Sequence, residues 1–416
     1  MKPKLLLFSL LLFLSFVLKV NGQDTWQTQN SPVAANLLSV SFADSLHGWI
    51  AADNGILLST YDGGLNWSKA NRPENFIPSK IFFIDPNLGW LAGEYSNKAD
   101  TGFVLRTSDG GQSWDPVFHY QYFKFNDLFF INDTMGWLTG AELSGDDRLS
   151  LIMHTVNGGD NWIMPQSPRI MDELYSIHFR DTDYGQACGK DGVFFTTNNG
   201  GRNEISGWAM SISIPSYGMD LYDIYNAADN YGCAVGEAGT VIFTKDKWSN
   251  HLKYTTTSED TLRAVTGLQD GTGYWAVGNN GCMVGVHYSI LGVSLLEDNR
   301  ITTSNLNDIV AVNDHHIWAV GENGTILFYG KNPTGIQDES TDQPYRVYPN
   351  PSTEYLYIEA PAGSYIRLFN YLGVCYKEKV ITVNDSYMNV SDLYEGVYIL
   401  EINYKERHII NKILIR

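Results

Sequence analysis

The chain has 416 residues, enough for two or three ordinary domains. Acidic residues outnumber basic ones by 46 to 28, a formal net charge of −18 that leaves no basic face for nucleic acid or an anionic membrane surface. Apolar residues make up 44% and charged residues 18%, and 39 Gly, 11 Trp and 25 Tyr describe a globular, turn-rich β chain rather than a disordered or helical one.

Lys2 and Lys4 precede an apolar run from Leu5 to Leu18, and the small residue Gly22 follows. This is the three-part pattern of a secretory signal peptide, and the run is short for a membrane span. Residues 1–22 are therefore expected to be cleaved, leaving Gln23 first. No Cys lies near that point to carry a lipid, and no second apolar stretch approaches membrane length, so the mature chain is expected to have no transmembrane segment. Cys188, Cys233, Cys282 and Cys375 show neither a CxxC pair nor metal-ligand spacing. Buried thiols in strands are the expectation, with one disulfide among the first three left open.

A repeat governs residues 26–330. Leu38-Ser-Val-Ser-Phe-Ala-Asp is followed by Gly48-Trp49, by Ile56 to Thr60, by Asp62-Gly63-Gly64 and by Trp67. The same order recurs through Gly89-Trp90 to Trp114 and through Gly136-Trp137 to Trp162, and four fainter copies follow. Aligned on Ala52, Gly93, Gly140, Gly189, Gly236, Gly278 and Gly321, the seven copies are spaced at about 45 residues. Short strands and turns at that period predict a seven-bladed β-propeller, four strands to a blade. The last copy lacks an outer strand while Trp26 to Gln29 precede the first copy unassigned, so the N-terminal segment is expected to complete blade seven and close the ring.

In Thr60-Tyr-Asp62-Gly-Gly64-Leu-Asn-Trp67, Asp can accept backbone N–H groups, the glycines permit positive φ, and Trp can cover the hairpin. Asp109, Gly111 and Trp114 repeat the pattern, and Asn157, Gly159 and Trp162 repeat it with Asn. In the fourth copy the Trp slips to Trp208, and in the fifth only Lys245-Asp246-Lys247-Trp248 remains. These residues resemble the Asp-box, or BNR, repeat of sialidases and related propellers. With Gly-Trp before each box, the chain looks most like the photosystem II assembly-factor type of propeller. That resemblance implies structural roles for Asp62 and Asp109 rather than an acid–base pair.

Lys331 to Pro344 is polar, contains two prolines and reads as a linker over 331–344. Short alternating strands resume at Leu356–Ile358, Ile366–Phe369, Tyr398–Ile402 and Ile409–Ile415, suiting a small Ig-like β-sandwich over 345–416. Val347-Tyr-Pro-Asn-Pro-Ser352, Leu368-Phe-Asn-Tyr-Leu-Gly373, Leu393-Tyr-Glu-Gly-Val-Tyr398 and Lys412-Ile-Leu-Ile-Arg416 resemble, in order and spacing, the C-terminal sorting domain of the type IX secretion system of Bacteroidota. The resemblance implies passage across inner and outer membranes, recognition of residues 345–416 by the secretion machinery and its sortase, and an extracellular or surface-attached product.

No nucleophile elbow, zinc-protease helix or phosphate loop occurs, and neither a metal nor a cofactor is expected. The expected function is a non-catalytic binding propeller for a protein or glycan, with a glycoside hydrolase on the same scaffold as the alternative. In five copies the turn after the second strand is minimal, whereas blade two carries Gly93 to Gly102 and blade three Gly140 to Leu151. Phe118 to Phe125, read as the connection between these blades, is unusually aromatic. Loops that depart from the minimum on a rigid scaffold commonly bind ligands, so Tyr95, Tyr120, Tyr122, Glu142, Asp146 and Asp147 are the candidate rim.

Overall fold

The computed structural model describes residues 24–330 and 346–415, apart from 97, 166–169, 203–206, 212–217, 228–229, 269–270, 272, 290–291, 298–299, 349–351, 371–374, 383–386, 395 and 405–406. The expected signal peptide and the linker 331–344 lie outside the described residues. Two units divide at Asn332/Pro333. The described residues are almost wholly β, with five single-turn 3₁₀ segments as the only helical elements among them.

The first unit holds seven antiparallel sheets. Their first strands are Leu37–Phe42, Phe76–Phe83, Phe123–Phe130, Leu174–Phe179, Leu221–Asn226, Leu262–Gly267 and Leu306–Asn313. Each first strand lies beside the first strand of the next sheet, and the seventh lies beside the first, so the sheets follow one another around a closed circuit. Thr25–Gln29 pairs antiparallel with Ile326–Gly330 as the outermost strand of the seventh sheet, from Thr25 opposite Gly330 to Gln29 opposite Ile326. The third sheet differs from the four-strand expectation. It has three strands, and its fourth is reduced to a single bridge between His154 and Ile163.

The second-strand tryptophans join neighbouring sheets, three of them in Gly-Trp pairs and the fourth, Trp318, after Ile317. Trp49, Trp90, Trp137 and Trp318 each stack flat on a phenylalanine of the next sheet, Phe83, Phe130, Phe179 and Phe42 respectively, with centroids 3.5–3.6 Å apart. Each indole N–H also donates to the next sheet's box, to the carbonyls of Gly110, Gly158, Gly200 and Gly63. The box tryptophan then meets the same phenylalanine edge-on, as Trp114 does Phe83 at 6.0 Å. Trp208, displaced in sequence, reaches the same place on Phe179 at 5.7 Å. Glycine precedes the tryptophan because a Cβ at Gly89 would sit 2.6 Å from the Phe83 ring.

Within the box, the Thr107 hydroxyl donates to Asp109 Oδ1 (2.8 Å) and accepts the Gly111 N–H, while Asp109 Oδ1 accepts the Ser113 N–H. Bonds led by the Ser113 hydroxyl hold Asp109 at about 2, below the ordinary carboxylate range. Thr60, Asp62 and Gly64 repeat the arrangement, as do Thr155, Asn157 and Gly159. The fifth sheet retains more than its sequence suggests. Asp246 accepts from Thr244 and from the Asn250 N–H, but Lys247 and Trp248 stand at φ 60° and 61°, where the other boxes place glycines. An L-residue there is strained, so Lys247→Gly is expected to raise stability by up to about 1 kcal/mol in a denaturant melt. An unchanged or lower midpoint would show that the strain is relieved elsewhere.

The second unit contains a three-stranded sheet, Arg346–Tyr348, Tyr355–Glu359 and Tyr387–Asn389, and a four-stranded sheet, Tyr365–Asn370, Cys375–Val380, Gly396–Tyr404 and Arg407–Ile415. Leu356, Ile358, Ile366, Leu368, Leu400 and Ile413 form its core. Cys375–Val380 alternates charges rather than apolar residues and exposes most of its side chains, which is why its pattern is not legible as a buried strand.

Candidate functional site

The long hairpins of sheets two and three stand together. Asp115–Gln121 is the outer strand of sheet two, and Phe123 already begins sheet three, so the expected aromatic connection is the end of one sheet's strand and the start of the next sheet's, joined at Tyr122. Tyr122 turns the chain at φ 66°; its N–H donates to the Asp100 carbonyl and its carbonyl accepts the Leu143 N–H at 2.6 Å. One residue thus ties both hairpins to the connection. Tyr120 and Tyr122 are 53% and 55% exposed, and Tyr120 stacks on Phe123 at 4.4 Å. Asp146 and Asp147 are exposed at the hairpin tip, and Glu142 is half-buried opposite Phe123. Tyr95 instead packs back on its own hairpin, edge-on to Phe103 at 3.7 Å.

The structure also places together residues that the sequence reading did not single out. Every first strand carries a bulge, and the residue that follows it is Ser39, Lys80, Asp127, Ser176, Asp223, Ala264 or Asp308 in sheet order. Of these seven equivalent positions, Lys80, Asp127, Ser176, Asp223 and Asp308 line the axial channel. Asp308 accepts the Val40 N–H, Asp127 that of Ile177 and Asp223 that of Val265, each at 2.7–2.9 Å across to the next sheet. Lys80 Nζ lies 3.3 Å from Asp308 and 3.7 Å from Asp127. Burial opposes its charge, but Asp308, Asp127 and Asp223 outweigh burial and push its pKa well up. Burial raises Asp223 to about 7 despite Lys80, and it raises Asp127 as well. Stacking the repeats on the bulge position, rather than on the box, would have exposed this ring in the sequence.

Above the ring, at the end where the extended hairpins lie, a mouth of about 660 Å³ is lined by residues including Ser79, Asn126, Tyr175, Tyr222, Arg263 and Asn307. Below it, Phe82, Phe129, His178 and Tyr225 line a chamber of about 300 Å³ whose upper wall includes Lys80 and the three aspartates. Burial lowers His178 to about 3, so it is neutral, and its Nδ1 accepts the Asn226 N–H. Cys188, Cys233 and Cys282 are buried free thiols.

Sheets ordered around an axial channel, stapled box to tryptophan, define a β-propeller scaffold. The chain belongs to the photosynthesis system II assembly factor YCF48 family, whose model matches residues 18–75 and 71–343. A secretion system C-terminal sorting domain matches residues 346–416. The photosystem II assembly lipoprotein Ycf48 of Synechococcus sp. (strain CC9902) is 25% identical over 314 residues, covering 73% of this chain and 74% of that protein. Its counterpart in Parasynechococcus marenigrum (strain WH8102) is 36% identical over 74 residues, 17% of this chain and 21% of that one. Among solved structures, YCF48 bound to D1 peptide has a TM-score of 0.57 at 18% identity, covering 74% of this chain and 97% of that one. YCF48 from Cyanidioschyzon merolae scores 0.56 at 18% identity, covering 73% and 98%.

Proposed function

We propose that this protein is an exported, non-catalytic binding propeller of seven blades, carried across the outer membrane by a sandwich-like sorting domain at residues 345–416, and that its hairpin rim takes a polypeptide segment. The observation that carries the binding surface is Tyr122. It holds two long hairpins to one connection and leaves two tyrosines exposed beside carboxylates on a rigid sheet edge. Exposed aromatics on rigid supports give contact area at low entropic cost. The solved relative bound to a peptide supports a polypeptide over a glycan, and Asp146 and Asp147 favour a basic one.

An immobilised library of short random peptides, probed with the full mature chain, tests this reading. Basic sequences should be enriched, and Tyr122→Ala should weaken the best of them at least about fivefold. Asn279→Ala, in a minimal turn outside the hairpin rim, should leave them unchanged. Equal binding by parent and Tyr122→Ala would place the surface elsewhere.

A further inference from the structure

The lower chamber of the channel has a composition that the rim does not explain. Four rings from four consecutive sheets form a continuous arc along its wall: Phe82 to Phe129 at 5.5 Å, Phe129 to His178 at 4.5 Å and His178 to Tyr225 at 4.5 Å. All four retain partial exposure, and Ser41, Thr266 and Val310 complete the circuit at the equivalent positions of the remaining sheets. The bulge ring lies directly above, where three carboxylates face a single ammonium. Aromatic faces are electron-rich and attract cations, most strongly where water is excluded. Carboxylates in excess, within a chain of net charge −18, deepen the same potential along the axis.

We propose that this chamber binds a small quaternary ammonium ion, free or as the terminal group of a larger molecule, with the arc of Phe82, Phe129, His178 and Tyr225 around its methyl groups. Such an ion has no N–H to satisfy, which suits a wall that offers rings rather than acceptors. A primary ammonium would compete poorly, because the acceptors of the ring are already engaged by Lys80 and by backbone N–H groups. The volume of about 300 Å³ lies at the small end of ligand sites. His178 is neutral and adds no opposing charge. Asp223 is faced by Lys80, by Asp127 and by the Ser176 hydroxyl, and it changes charge near pH 7. A bound cation would favour its ionised form.

Calorimetric titration of the full mature chain with choline tests the proposal, with 3,3-dimethylbutan-1-ol as the uncharged analogue of the same shape. Choline should bind saturably and at least about tenfold more tightly than the alcohol, and more tightly at about pH 8 than at about pH 6. Phe129→Leu and Phe82→Leu, each checked for an unchanged fold by circular dichroism, should weaken choline while leaving the alcohol nearly unaffected. Glycerophosphocholine distinguishes the sources: binding equal to choline assigns a terminal headgroup, and binding of choline alone a free ion. Equal affinity for choline and the alcohol, no saturable binding of choline, or full binding by both leucine variants would overturn the proposal. Because Tyr122→Ala alters the rim and not the chamber, failure here and failure of the rim are separable.

Discussion

Lys80→Met is expected to destabilise the propeller by about 3–5 kcal/mol at about pH 8, the range for removing one partner from a buried charge cluster, and by much less at about pH 5. Lys80 keeps 24% side-chain exposure and holds Asp308 and Asp127 across the axis. Without it, Asp127, Asp223 and Asp308 face one another with no cation. Asp127 and Asp223, already raised on folding, would then rise further above their values in the unfolded chain. A carboxyl group raised on folding binds its proton more tightly in the native state. Its presence therefore weakens the fold as pH rises from the ordinary carboxylate range through the folded value. Asp223, at about 7 even beside Lys80, already does this between about pH 4 and about pH 7. The variant should steepen and extend that loss, because protonation at low pH is the only relief left to the cluster. Denaturant melts of parent and variant at the two pH values measure it. A cost of the same size at both would mean that Lys80 acts through packing of its stem and not through its charge.

The legible part of this fold was the part written by repetition. Asp-Gly-Gly turns and Gly-Trp pairs announce themselves because tight turns and close ring contacts admit few residues, as the Gly89 and Phe83 contact illustrates. What each tryptophan touches was not legible, since Trp90 spends its ring and its N–H on a different repeat, stacking on Phe130 and donating to Gly158. The fifth box was under-read because Lys247 and Trp248 replace glycines without changing the turn, a case where the surrounding bonds override local preference. Phe118 to Phe125 reads as a connection although it ends the outer strand of sheet two and opens sheet three, because its aromatic composition says nothing of its pairing. The axial ring escaped for another reason. Serine, lysine, aspartate and alanine at one position look like variation until the bulge aligns them, and only the closed circuit brings Lys80 of sheet two against Asp308 of sheet seven.

Removing Asp24 to Gln29 is expected to have the largest effect of any short deletion. Five residue pairs between Thr25–Gln29 and Ile326–Gly330 would be lost, and Trp26 would leave Tyr329, 5.4 Å away. Gln29 also clasps the first sheet, since its side-chain amide donates to the Gly63 carbonyl and accepts the Trp67 indole N–H, both at 3.0 Å. At about 1 kcal/mol for each hydrogen bond, the loss is on the order of 5 kcal/mol, comparable with the whole stability of many domains. The remaining links from sheet seven to sheet one include the Trp318 stack on Phe42, its indole bond to Gly63, the Asp308 bond to Val40 and the Asn307 amide bonds to Asn36 and Leu37. They leave Ile326–Gly330 as a bare edge, and an unpaired apolar strand invites pairing with another chain. The deleted protein should therefore melt far below the parent and elute as larger species in size-exclusion chromatography. Supplying Asp24 to Gln29 as a separate peptide in excess should restore part of the melting temperature, because only the native edge can accept it. A monomeric deletion variant that melts with the parent would show that these links close the circuit without the strand.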